Sequence, residues 1–289
     1  MAEAAEARAR GPWREAWSVF RRNRAALVGL ALLAVIALVV VFGPMVYSVD
    51  PFEIVGAPKA PPGAEAEAPL GTDYLGRDVL AGLIKGGRPT LLVGFCAALI
   101  TALIGITIGA LGGFYGRWVD GVLGRVTEFF QVLPALLFAM VLITLFAPSL
   151  VTVIFAIGIV AWTSMARLTR AEFLRIRELE YVRAARSIGA SNARIIWRII
   201  LPNAMPPIMV SATLATGSAI LFEAGLSFLG LSDPNIMSWG LMIGSNRNYL
   251  REAWWAVTFP GVAIFVTVLA ISLVGDGLND AFNPKLRTR

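Results

Sequence analysis

The groups in this 289-residue chain that could do chemistry are few, and arginine dominates them. The densest cluster reads RAARSIGASNARIIWRIILP, from Arg183 to Pro202. Arg183 and Arg186 could each hold a carboxylate through two parallel hydrogen bonds. Beside them Ala184, Ala185, Gly189 and Ala190 carry almost no side chain, so another surface can approach the backbone. Gly189 can stop a helix in a left-handed turn, and Ser191 or Asn192 can cap the next one. The spacing predicts a short helix over 181–188 and a second through 194–201, closed by Pro202. A helix resting on lipid would want a larger apolar face than this, so the stretch is expected to face protein.

Two acids interrupt otherwise apolar runs, Glu223 and Asp276. An ionisable group inside a membrane span is expensive, which makes each a candidate gate or ion-coupling residue. Both lie near the ends of their runs. Asp276 and Asp280 are expected to reach one interface and Glu223 the other.

Much other chemistry is absent. The chain has no histidine, which removes His-based zinc sites, Ser-His hydrolysis and histidine proton relays. Its lysines are Lys59, Lys85 and Lys285, and none follows a glycine in a phosphate-binding loop. No pair of acids stands at metal or glycosidase spacing on a soluble scaffold. The expectation is no catalytic residue, no metal site and no enzyme activity in this chain. Cys96, the single cysteine, lies within an apolar run and excludes an intramolecular disulfide.

The elements that must position these groups are long apolar segments. Hydrophobic residues make up 57% of the chain and charged ones 15%, the balance of a membrane protein. Runs able to cross a hydrocarbon core as helix fall at 25–46, 89–115, 129–147, 150–166, 205–231 and 256–275. The expected fold is all-α, a polytopic bundle of six transmembrane helices, with a tight hairpin at Ala147, Pro148 and Ser149. The first run is too long for the apolar core of a signal peptide and is read as a retained span.

Arginine placement orients the bundle. Arg8, Arg10, Arg14, Arg21, Arg22 and Arg24 precede the first span; eight arginines from Arg167 to Arg198 fill the loop between the fourth and fifth; Lys285, Arg287 and Arg289 end the chain. An even number of spans puts all three on one side, so that loop and both termini are expected to be cytoplasmic. The chain then divides into an N-terminal segment 1–24, a first span 25–48, an external loop 49–88, a five-span core 89–281 with its cytoplasmic loop 167–204, and a tail 282–289. This topology largely accounts for the net charge of +6. No zinc, helix-turn-helix or base-stacking pattern accompanies the basic loop, so no nucleic-acid partner is expected.

Segment 12–24 spaces Trp13, Trp17 and Phe20 as one helical face, which suits an interfacial helix or a simple positive anchor. The external stretch GAPKAPPGAEAEAP reads as a flexible loop, followed by a turn in which Asp73, Arg77 and Asp78 could form ion pairs. Gly105, Gly109 and Gly113 recur at every fourth position, as in a close helix-packing seam or a substrate groove. Trp239, Trp254 and Trp255 are expected to be belt residues at the membrane interface.

The arginine-rich loop resembles the cytoplasmic signature of permease subunits of bacterial ATP-binding-cassette importers: E-A-A, three residues, Gly, nine residues, I-x-L-P. Here it reads Arg183-Ala184-Ala185, Gly189, Ile199-Ile200-Leu201-Pro202, with arginine at the glutamate position. FRRNRAALVGL, PLGTDYLGRDVL, FEAGLSFLGL and GDGLNDAFNPKLR extend the likeness along nearly the whole chain to the second (C-type) permease of dipeptide, oligopeptide and nickel systems.

That resemblance implies a coupling helix within 181–201 seated on a separate ATPase subunit. Arg183, Ala184, Ala185, Arg186, Gly189, Ala190, Ser191, Ile199, Leu201 and Pro202 are the coupling residues, and Pro202, Pro206 and Pro207 a stiff joint to the fifth span. It further implies a homologous permease, two ATPase subunits, an external substrate-binding protein and alternating access. ATP and Mg would be bound by the partner subunits and no cofactor by this chain. The rival readings are an ion-gradient-driven transporter or channel leaning on Glu223, an intramembrane enzyme, and a membrane scaffold.

Overall fold

The computed structural model describes residues 17–282. From Arg24 onward they hold ten α-helices, a π-helical stretch and a 3-10 turn. In chain order the helices are α1 (Arg24–Val46), α2 (Val79–Tyr115), α3 (Arg117–Val132), α4 (Ala135–Phe146), α5 (Leu150–Arg177), α6 (Glu180–Ser187), α7 (Asn192–Ile195), α8 (Leu201–Phe228), α9 (Trp239–Asn246) and α10 (Trp255–Phe282). Five helical segments are long and apolar enough to cross a membrane, or six if one bent pair is a single span.

The bent pair is α3 and α4, which turn by 87°. The run expected to be one helix over 129–147 is broken because Pro134 disfavours helical geometry in Leu133, which is extended at φ −66° and ψ 130°. The expected hairpin after α4 is present. Ala147 turns at φ +66°, and the Ser149 hydroxyl caps α5 by accepting from Thr152 N at 3.1 Å.

The most extensive packing joins α2 to α5. A Cβ on Gly105 would sit 2.6 Å from Met165 Cβ, one on Gly109 2.4 Å from the Ala166 carbonyl, and one on Gly113 2.6 Å from Phe173 Cβ. The three glycines are therefore a packing seam, with the backbones closer than any side chain permits. Helix α8 lies against α2, α5 and α10, and α10 carries α1. Phe20 and Ala26 bury against Ala281, and Asn23 Nδ2 donates to Asp280 at 2.9 Å, tying the start of α1 to the end of α10. Of the expected interfacial helix, residues 17–20 are helical and Trp17 stacks on Phe20, while Trp13 lies outside the described residues.

Helix α2 begins at Val79, ten residues before the expected start at Pro89. Asp78 caps it by accepting from Leu80 N and Ala81 N at 2.9 and 3.2 Å. Pro89 sits inside the helix, and next to it the Thr90 hydroxyl donates to the Gly86 carbonyl at 3.0 Å. The segment expected to be a flexible loop is folded onto the bundle. Ala60 and Ala68 are buried, Thr72 Oγ1 accepts from Ala60 N at 2.8 Å, and Lys59 pairs with Glu252 in the loop before α10.

Two of the three tryptophans are not belt residues. Trp239 and Trp255 are buried, donating Nε1 to the carbonyls of Leu83 and Thr72 at 2.8 and 3.0 Å, whereas Trp254 is half exposed. Nor do Asp73, Arg77 and Asp78 form ion pairs among the described residues. Asp73 instead accepts from the backbone of Leu75 and Arg77, while the Arg77 guanidinium lies over the Phe52 ring. Burial pushes the Asp73 carboxyl above the usual range, against the lowering effect of those hydrogen bonds.

Candidate coupling site

At the arginine-rich end the chain leaves α5 through Glu178 and folds back as α6. One residue anchors this short helix. Val182 is fully buried in a cluster with Phe114, Phe173, Ile176, Ile195 and Ile200. The opposite face is open: Arg183 and Ala184 are exposed, Ala185 is half-buried, and Ile188 is 86% exposed at the helix end.

The end of α6 is a Schellman motif. Gly189 adopts φ +83°, its N–H donates to Arg186 O at 3.1 Å, and Ala190 N–H donates to Ala185 O at 3.0 Å. A Cβ on Gly189 would meet nothing within 4 Å, so the glycine answers to backbone conformation rather than to packing within the chain. Ser191 caps the next helix, its hydroxyl accepting from Arg194 N at 3.4 Å.

The helix that follows does not end at Pro202. From Asn192 the chain passes through α7 and a π-helical stretch, Ile196–Ile200, directly into α8. Leu201 N–H donates to Ile196 O, five residues back. That widened turn accommodates Pro202, whose ring would strike the carbonyl four residues earlier in a regular helix. Asn203 Nδ2 donates to Ile199 O at 2.6 Å. Pro206 and Pro207 also lie inside α8, so the expected proline joint is a continuous helix. Ile199 and Leu201 pack against the Val182 cluster and Pro202 is exposed.

The arginines of the loop are partly engaged at home. Arg183 Nη2 donates to Glu178 at 2.9 Å, and Arg177 joins the same carboxylate at 3.2 Å. Hydrogen bonds from Arg183 and then Arg177 hold that carboxyl below the usual range, though exposed pairs of this kind add little stability. Arg177 also donates to Gly113 O at 2.8 Å, closing the end of α2, and Arg186 lies over the Phe114 ring at 5.8 Å.

Glu223 and Asp276 are not part of this site, nor of each other's surroundings. Glu223 lies roughly 33 Å along α8 from Leu201 and is 3% exposed, enclosed by protein. Its Oε1 accepts from the hydroxyls of Ser227 and Ser238 at 2.7 and 2.9 Å, and its Oε2 is buried with no partner. Ser238 in turn caps α9, so the acid clamps α9 onto α8. Asp276 is exposed on α10. Sequence reasoning missed an ion pair between α5 and α3, in which Arg170 holds Asp120 through both carboxylate oxygens. The polar stripe of α3 was the available signal.

The bundle has the fold of a transport permease. It matches a chain of the inward-facing MetNI methionine ABC transporter with a TM-score of 0.57 at 18% identity, over 68% of this chain and 93% of that one. A chain from the crystal structure of an amino acid ABC transporter matches with 0.53 at 19% identity, over 68% and 92%. Residues 82–288 fit the family described as binding-protein-dependent transport system inner membrane component, and residues 11–62 fit the N-terminal TM domain of oligopeptide transport permease C. The chain belongs to this family of multi-pass inner-membrane permeases.

It is 40% identical to the di/tripeptide transport system permease of Pseudomonas aeruginosa over 96% of this chain and 93% of that protein. Identity to the dipeptide permease of Alkalihalophilus pseudofirmus is 38%, over 96% and 91%. For the oligopeptide permease of Bacillus subtilis it is 36%, over 95% and 90%.

Proposed function

We propose that this permease imports short peptides, forming half of a translocation path with a homologous permease. ATP and Mg would act on two separate ATPase subunits, and an external binding protein would deliver the substrate. The arginine-rich end and both termini face the cytoplasm in this reading, with 89–281 as the transporting core and the first span as an accessory on α10. The observation that carries it is α6, pinned from beneath by Val182 yet open above through Ala184 and Gly189. A surface of that kind has its partner outside the chain. The π stretch makes 192–228 one helical lever, so movement imposed on α6 and α7 would pass into α8. Arg183, Ala185, Arg186, Ala190, Ser191, Ile199, Leu201 and Pro202 shape or support that surface.

A gradient-driven carrier would need Glu223 to meet solute, and its carboxylate is enclosed by two serines and α9. The test is to purify the protein from its native membrane in mild detergent, beside Gly189→Leu. The reading expects a second permease and ATPase subunits with the wild type and no ATPases with the variant. A chain that purifies alone and moves solute in vesicles without ATP would overturn it.

A further inference from the structure

Between α2, α3 and α5, at the arginine-rich end, lies a cavity of about 490 Å³. That is within the roughly 300–1,000 Å³ usual for ligand pockets. Small residues create it. Gly112 and Ala166 line it, and on α3 a Cβ at Gly121 or Gly124 would meet nothing within 4 Å, so these glycines leave space that no neighbour fills. This distinguishes them from the seam glycines, which the packing requires.

The polar groups around the space are uneven. Asp120 and Arg170 satisfy each other. Arg125, Glu128, Gln131 and Arg167 line the same cavity from its exposed side, and none of their side chains has a hydrogen bond or ion pair among the described residues. Arg125 and Glu128 stand three residues apart on α3 without pairing. Two free guanidiniums suit a carboxylate, a free carboxylate suits an ammonium, and an amide suits a peptide group. The acids beside the arginines disfavour phosphates and other polyanions. The chemistry that matches is a zwitterion with its charges separated by amide.

We propose that this cavity is a holding site for a short peptide on the release side of the path, with Arg125 and Arg167 on its C-terminal carboxylate and Glu128 on its N-terminal ammonium. This rests on the peptide-permease reading above. The test uses the purified permease–ATPase complex, without nucleotide or binding protein, and tritiated alanyl-phenylalanine. Saturable binding is expected, at least tenfold weaker for the C-amidated peptide. Gly124→Leu, whose Cβ would meet nothing within 4 Å, abolishes binding while thermal stability is kept. Arg167→Gln narrows the difference between free and amidated peptide, and Glu128→Gln that between free and N-acetylated peptide.

Unchanged binding and ATP-driven uptake in Gly124→Leu would overturn the site and leave the permease reading intact. So would a zwitterionic phospholipid that co-purifies with the wild type, leaves in Gly124→Leu and is not displaced by peptide. A wild-type complex with no ATP-driven peptide uptake would remove both readings together.

Discussion

Two stretches of this molecule use small residues in opposite ways. Along α2, Gly105, Gly109 and Gly113 are pressed against Met165, the Ala166 carbonyl and Phe173, and the closest contact would leave a Cβ 2.4 Å from a backbone oxygen. On α6 and its turn, Ala184 is exposed and Gly189 has open space around it. Membrane helices use small residues to let backbones meet. In the seam the second backbone belongs to the same chain, whereas at α6 none of the described residues covers Ala184 or fills the space beside Gly189. A small-residue pattern thus becomes informative about partners only once its internal contacts are known.

The largest effect is expected where the seam is broken. Gly109→Leu should cost more than the usual overpacking penalty of about 1–3 kcal/mol, because the obstructing carbonyl cannot step aside. Folded yield and thermal unfolding in detergent would read this, and a variant as stable as wild type would show that α2 and α5 are not held together there. A smaller loss is expected at the buried clamp. Glu223→Ala strands the Ser227 and Ser238 hydroxyls at about 1–3 kcal/mol, while Glu223→Gln keeps an acceptor for both and stays close to wild type in the same thermal assay.

The open surface should respond the other way. Gly189→Ala leaves all contacts in place and pays only the left-handed backbone penalty, about 1 kcal/mol, so its abundance in the membrane should match wild type. The smallest effect lies at the opposite end, where Tyr47 donates to Asp78 at 2.6 Å. Burial first, then that hydrogen bond, pushes the Tyr47 hydroxyl from 10.0 up to about 12. The protonated form is the one the fold favours, so this contribution is complete below pH 10 and is lost as pH rises through about 12. Tyrosinate absorbance should show a late-titrating tyrosine that disappears in Tyr47→Phe, with stability near neutral pH lowered by no more than about 1 kcal/mol.

The apolar runs made the bundle legible in the sequence, since each crossing must satisfy its backbone internally and therefore be helical. The turn at Gly189 was equally legible, because its conformation depends on local residue type. What escaped depended on distant partners. Trp239 and Trp255 look like interface residues until Leu83 and Thr72 are brought beneath them. The proline-rich segment before α2 looks unfolded until Thr72 and Glu252 tie it down. The break at Leu133 was available from Pro134 alone, whereas the π stretch that carries helix past Pro202 has no comparable mark in the residue pattern.

The central claim is that α6 and Gly189 face the motor of the importer. Measuring ATP-driven peptide uptake against membrane abundance for Gly189→Leu tests it most directly. The account predicts a normally inserted permease whose uptake is lost because hydrolysis no longer reaches it. Wild-type uptake from that variant at equal abundance would contradict the claim and place the ATPases elsewhere on the molecule.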